Sequence, residues 1–256
     1  MTEWAIEAKG LSKRFGDQTV LQDLDLSIPA GEKWVLIGAS GSGKSTFLRL
    51  LIGLERPQSG QVHVFGQPLY DTGKSDGEGL ALVREARQIR RQMGMVFQQF
   101  NLFPHMNVLR NLTEAPVRVL GQDREAARVM GLALLEKVGL ADKAESFPAQ
   151  LSGGQQQRVA IARALALSPR ILLFDEVTSA LDPALTFEVL DVLRDLAHES
   201  AMTMVFVTHE MDFAREIADK LCVFDAGRCV EQGPAQQVLD DPQSDAAQAL
   251  LRTSRR

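Results

Sequence analysis

The sequence predicts an α/β fold, organised as one unit around a parallel sheet. Three observations carry that expectation. Residues 33–37 (KWVLI) read as a compact buried strand, and 171–174 (ILLF) and 203–207 (TMVFV) as continuous apolar strands of the kind buried in a parallel sheet. Residues 45–54 and 124–138 instead repeat their apolar positions at helical spacing. A length of 256 residues allows one large α/β domain or two small ones, and the lack of an internal repeat or low-complexity linker favours one unit.

The elements come in order. The first thirty residues read as short strands: 4–8 alternate in character, and Gly10 and Gly16-Asp17 punctuate the stretch beyond. Residues 20–28 (VLQDLDLSI) alternate with a period near two, as an antiparallel strand does, and Pro29-Ala30-Gly31 ends them. The strand at 33–37 runs straight into a glycine-rich turn, and the helix after it closes at Gly53 with Pro57 beyond. Residues 71–90 are polar and read as a loop entering a short helix. Residues 95–97 form a strand, 108–143 are helical, and 220–224 form a strand before the turn at Asp225-Ala226-Gly227.

Bulk properties exclude some classes. A net charge of −5 argues against a nucleic-acid or membrane-surface binder, since both favour a basic face. The basic C-terminal RTSRR is too short to alter that reading. No apolar run approaches the ~20 residues of a membrane span, and the N-terminal MTEWAIE lacks the features of a signal peptide. A cytoplasmic protein is therefore expected, with any channel supplied by other chains. Cys222 and Cys229 form no CxxC pair and are expected to be reduced thiols.

The chemistry concentrates in three strings. Residues 38–45 (GASGSGKS) fit the phosphate-binding pattern G-x-x-x-x-G-K-[ST], between a strand and a helix. Gly38, Ala39, Ser40, Gly41, Ser42, Gly43, Lys44, Ser45 and Thr46 are the expected nucleotide-binding residues. Glycines let successive backbone N–H groups curl around phosphate oxygens, and the helix N-terminus adds partial positive charge. Lys44 would reach the β- and γ-phosphates of ATP, and the Ser45 hydroxyl would coordinate Mg²⁺. Residues 171–176 (ILLFDE) end a strand in two carboxylates. Asp175 would hold Mg²⁺ through water and Glu176 would polarise the attacking water. Residues 151–155 (LSGGQ) open a helix with Val159, Ala162 and Ala166 on one face. Ser152, Gly153, Gly154 and Gln155 thus sit at a second helix N-terminus, again a phosphate-binding place.

The LSGGQ string resembles the signature motif of ABC ATPases, and with it the chain resembles an ABC transporter nucleotide-binding subunit from about Ile6 to Leu251. The resemblance implies a P-loop NTPase (RecA-like) core, an antiparallel β-subdomain and a helical subdomain inserted over roughly 98–162, all in one domain of residues 1–256. It implies two copies packed head to tail, with the signature of one capping ATP on the P-loop of the other. It assigns Gln98 to sensing Mg²⁺ and the γ-phosphate, His209 to the γ-phosphate, Asp182 to coupling across the dimer, and Phe15 to stacking on adenine. The apolar 100–106 (FNLFPHM) sits where the family docks a helix of its transmembrane permease, so the chain is expected to be peripheral, on the cytoplasmic side of the membrane. One departure is visible: residues 175–179 read DEVTS where many family members have DEPTS, and both carboxylates are kept.

Other classes fit less well. A DNA-repair or chromosome-organising ABC ATPase needs a long coiled coil, an ABC translation factor needs two cassettes, and a non-catalytic cassette should lack Glu176 or His209. Within transporters, 97–105 (FQQFNLFPH) and 115–121 (APVRVLG) resemble the polar-amino-acid uptake group. Residues 174–183 and the insertion at 71–90 resemble its ectoine and hydroxyectoine branch. Solute choice there belongs to the permease and an external solute-binding protein. The alternative is a lipoprotein-release or cell-division type subunit.

Overall fold

The computed structural model describes residues 3–73 and 86–254. A four-stranded antiparallel sheet has the order β2-β1-β4-β5: β1 (Trp4–Phe15), β2 (Gln18–Pro29), β4 (Ser59–Val64) and β5 (Gln67–Asp71). A six-stranded sheet has the order β10-β9-β3-β8-β7-β6: β3 (Lys33–Gly38), β6 (Met93–Val96), β7 (Ile171–Asp175), β8 (Thr203–Val207), β9 (Lys220–Asp225) and β10 (Arg228–Pro234). All its strands run parallel except β10, which folds back antiparallel on β9.

The apolar strands are buried on both faces, and their residues alternate between two cores. Trp34, Leu36, Ile171, Leu173, Val205 and Val207 pack on the side shared with helix α1 (Lys44–Ile52) and the antiparallel sheet. Val35, Ile37, Leu172, Phe174, Met204 and Phe206 face the opposite core, with α5 (Pro183–Glu199), α6 (Met211–Ile217), α7 (Ala235–Asp240) and α8 (Asp245–Ser254). There Phe174 stacks on Phe206 at 4.4 Å, and Phe213 meets Phe206 edge-on. Between β6 and β7 lie α2 (Val108–Leu120), α3 (Arg124–Lys137) and α4 (Gly153–Leu165). They share a third core of Leu109, Leu112, Leu135, Leu140, Val159 and Ala162.

Several expectations need correction. The N-terminal strands are not short: β1 and β2 each run 12 residues. Gly10 does not end β1, because a register shift between Ala8 and Leu11 absorbs it at φ +58° while its N–H donates to Asp25. The sequence reading missed the β4–β5 hairpin, whose turn takes Phe65 and Gly66 through positive φ. Residues 86–90 are helical as expected, but most of the predicted loop, 74–85, lies outside the described residues. The cysteines are not free thiols: Cys222 and Cys229 are bonded to each other. The turn at Ala226-Gly227 folds β10 onto β9, bringing their Cα atoms to 6.3 Å, which a separation of seven residues does not advertise.

Candidate active site

The register of the parallel sheet sets the site. Val207 of β8 stands opposite both Leu36 of β3 and Asp175 of β7, so the carboxyl ends of three strands finish at one level. Ligands of open α/β sheets sit at that edge. β3 delivers the glycine-rich loop, β7 delivers Asp175 and Glu176, and β8 delivers His209.

The loop is moulded by its neighbours' backbone. Gly43 has φ +105°, and a Cβ there would come within 2.7 Å of the Val20 carbonyl oxygen. On the other side of that carbonyl, a Cβ on Gly227 would lie 2.6 Å away. The Gly227 N–H donates to the Ser42 carbonyl at 3.1 Å, and the Gln22 N–H donates to the Gly227 carbonyl at 3.0 Å. Val20 of β2 and Gly227 of the β9–β10 turn thus grip the loop from outside. Val20, Ser40, Gly41, Gly43, Lys44, Ser45, Thr46 and Glu176 line a concavity of about 200 Å³.

Inside it, Lys44 is buried, and its Nζ donates to the carbonyls of Gly38 (2.8 Å) and Ala39 (3.0 Å) and to Ser42 Oγ (3.3 Å). Burial lowers the Lys44 pKa, while Glu176 and Asp175 pull the other way. Ser45 Oγ donates to Asp175 Oδ1 at 2.5 Å. Burial raises the pKa of Asp175 against the opposing effects of the Ser45 bond and of Arg49, whose guanidinium lies 3.9 Å from Oδ2. Glu176 is half-buried with φ +48°, a left-handed conformation that costs a non-glycine residue ~1–3 kcal/mol. Its N–H donates to the Val207 carbonyl at 3.0 Å, and its own carbonyl accepts from the Ser179 hydroxyl at 2.8 Å. These bonds hold the strained turn and aim the carboxylate back over the loop. His209 is exposed, with Nε2 3.4 Å from Glu176 Oε1.

The remaining predicted residues lie elsewhere. Ser152 and Gln155 form a reciprocal cap on α4: the Gln155 N–H donates to Ser152 Oγ at 3.3 Å, and the Ser152 N–H to Gln155 Oε1 at 3.0 Å. Gly153 and Gly154 pack against Leu181 and Leu185, where a Cβ would be crowded at 3.0 Å and 3.2 Å. Asp182 caps α5 by accepting from the Leu185 N–H at 3.1 Å. None of these lines the loop concavity. Gln98 is exposed and lines a separate groove with Phe100, Leu102, Pro104, Pro148 and Gln156. Phe15 is 46% exposed beneath the Lys13 ammonium at 4.5 Å, so its ring is no part of the core. Sequence reasoning missed Val20, Gly227 and Arg49. The first two act through backbone atoms, which leave no side-chain signal, and Arg49 is one charge on an ordinary helix.

A glycine loop cradling a lysine, a hydroxyl–carboxylate pair and a second carboxylate at a strand end define a P-loop ATPase. A family model for ABC transporters matches residues 21–179. The chain is 54% identical over 252 residues to a probable amino-acid ABC transporter ATP-binding protein of Sinorhizobium fredii, covering 98% of each. It is 51% identical to the L-cystine transport system ATP-binding protein of Escherichia coli, covering 96% of this chain and 97% of that one. Among solved structures, a dimeric ATP-binding cassette in a post-hydrolysis state with ADP and Pi aligns with a TM-score of 0.76 at 34% identity, over 90% of this chain and 98% of the other. The chain belongs to the ABC transporter family, as one of its ATP-hydrolysing subunits.

Proposed function

We propose that this subunit powers import of polar amino acids or amino-acid-like solutes, working as a head-to-tail dimer beneath transmembrane permease subunits. One observation carries the dimer. The chain holds two helix N-termini suited to phosphate, and only the one at Lys44 belongs to the concavity with Glu176, whereas Ser152 stands outside it. A second copy presenting Ser152, Gly153, Gly154 and Gln155 would complete the site. The amino-acid assignment rests on the relatives, whose names concern amino acids and L-cystine.

The donors present fit Mg²⁺. Ser45 Oγ and Asp175 Oδ1 are hard oxygen ligands already 2.5 Å apart, and a cation among them would replace their shared proton contact. Ser45 and Asp175 would hold the ion, Asp175 through water, with Gln98 reaching toward it; bound Mg²⁺ supplies neutralisation of phosphate charge. Lys44 would exchange its three loop contacts for phosphate oxygens. Glu176 would orient a water and accept its proton, His209 would face the γ-phosphate, and Asp182 would meet the partner copy. Phe15 offers an exposed ring for adenine, and residues 98–162 form the helical subdomain. No helix among the described residues is long and apolar enough to cross a membrane, so attachment would come through the permease.

The test is reconstitution with the permease and its external solute-binding protein in vesicles. Solute-loaded binding protein should stimulate ATP hydrolysis, and it should bind one of glutamine, histidine, arginine or ectoine. Tight binding of a sugar, phosphate or metal ion, with none of these four bound, would overturn the solute class.

A further inference from the structure

Lys13 is a buried cation to which the reading above gives no task. It is 7% exposed, and lysine is almost never buried unless it is paired. Its ammonium has three N–H groups, and three acceptors surround it. They are the Glu55 carboxylate at 2.9 Å, the Arg56 carbonyl at 2.9 Å and the face of the Phe15 ring, whose centroid is 4.5 Å away. With Lys13 over one face of that ring, a base can stack only on the other. A desolvated cation–π contact is stronger than an exposed one, so burial makes this a firm hold on the ring.

The partners of Lys13 belong to the far end of the phosphate-loop helix. The N–H groups of Leu54 and Glu55 both donate to the Arg49 carbonyl, at 2.9 Å and 3.2 Å, so the segment beyond Gly53 moves with α1. That helix starts at Lys44, inside the loop. Gln58 completes the brace. Its side-chain amide pairs with the Arg14 backbone as a neighbouring strand does: Oε1 accepts from the Arg14 N–H at 2.9 Å, and Nε2 donates to the Arg14 carbonyl at 3.1 Å. Its own N–H donates to the Ser12 carbonyl at 2.9 Å. The register of β1 shifts between Lys13 and Arg14 against β2, and between Lys9 and Ser12 against β4. Ladder pairing is interrupted there, and the side chains of Lys13 and Gln58 take over the holding of the strand end.

We infer that Lys13 and Gln58 are positioning residues for ATP, tying the Phe15 ring to the end of α1 so that base and phosphates meet one rigid frame. ATP then spends none of its binding energy on ordering the ring. The inference rests on the reading of Phe15 as the adenine platform.

The test uses the full-length subunit with Lys13→Met, which keeps the length of the side chain and removes its charge. Gln58→Leu, at an exposed position, cuts only the bonds to Arg14. Both are also made in a Phe15→Leu background. ATP affinity, the KM and kcat for ATP hydrolysis, and the Ki of inorganic tripolyphosphate, which carries phosphates without a base, are measured for each. Lys13→Met should weaken ATP binding roughly tenfold through KM, with kcat and the tripolyphosphate Ki held. Gln58→Leu should shift the same quantities in the same direction. In the Phe15→Leu background neither change should weaken ATP further by more than about twofold, because each acts through the ring. Equal losses for ATP and tripolyphosphate, or losses that simply add to that of Phe15→Leu, would mean a merely structural role and overturn the inference. So would parental ATP affinity in both Lys13→Met and Gln58→Leu while Phe15→Leu is impaired. Parental ATP affinity in Phe15→Leu itself would overturn the adenine reading of Phe15, and the inference with it.

Discussion

His209 and Glu176 meet at 3.4 Å across two neighbouring strands, Nε2 to Oε1. β8 brings the histidine, β7 brings the glutamate, and the bond from the Glu176 N–H to the Val207 carbonyl locks the two strand ends together. The carboxylate is thus placed from two sides: the strained φ of its own backbone aims it, and the imidazole borders it. A water held between that carboxylate and a phosphate on the loop would have its acceptor fixed before ATP arrives.

Glu176→Gln keeps the shape of this arrangement and removes the carboxylate proposed to accept the water's proton. ATP affinity should stay within a few-fold of the parent, while hydrolysis falls by ~10²–10⁴, the usual contribution of a general base. An ATP-bound dimer should then accumulate, visible by size-exclusion chromatography. Near-parental steady-state ATPase activity would remove Glu176 from the catalytic role.

Lys44→Ala acts on binding instead. It removes three donor contacts to the loop and the cation that would face the phosphates. A charge-assisted bond is worth ~1.5–3 kcal/mol, so ATP affinity should drop by roughly 10- to 150-fold in a calorimetric titration. An unchanged affinity would mean that the lysine never leaves Gly38 and Ala39.

Asp175→Asn should separate stability from activity. Burial raises the folded-state pKa of Asp175, so the folded protein holds the carboxyl proton more tightly than the unfolded chain does. The penalty of the ionised form is absent below the unfolded pKa, grows as pH rises toward the folded pKa, and is constant above it. The nucleotide-free variant should therefore be more stable than the parent at neutral pH, with the difference fading in acid. Mg²⁺-dependent hydrolysis should be lost in the same protein. Thermal melts from acid to neutral pH check the sign, and a variant less stable than the parent at neutral pH would refute the burial account.

The apolar run at 100–106 gives a prediction of its own, since Phe103 is 45% exposed and so is not simply core. Phe103→Asp should leave ATP binding by the isolated subunit intact and abolish its recovery with permease-containing membranes on flotation. Insoluble protein, or a variant that still floats with the permease, would return the run to the subdomain's own packing.

Much of the fold was legible where burial is two-sided. Residues 34–37, 171–174 and 204–207 are apolar throughout because alternate residues serve two different cores, and such runs are hard to mistake once helices flank them. The strings around Lys44, Asp175 and Ser152 were legible because phosphate and hydroxyl chemistry needs particular residue types at fixed spacing. The β4–β5 hairpin escaped because its reversal runs through Phe65, a residue whose positive φ no composition rule announces. The bond between Cys222 and Cys229 escaped because it depends on strand register.

The carbonyl of Val20 lies wedged between Gly43 and Gly227, with no room for a Cβ on either. A mould that reads backbone is blind to the side chain at position 20 and intolerant of any change in how many residues precede it. Substitutions along β2 should therefore be forgiven wherever the strand's buried face is kept, whereas a single-residue insertion or deletion between Gln18 and Leu21 would slide a different peptide unit into the wedge. For this protein, the count of residues in an outlying strand is as much a part of the nucleotide loop as the loop's own glycines.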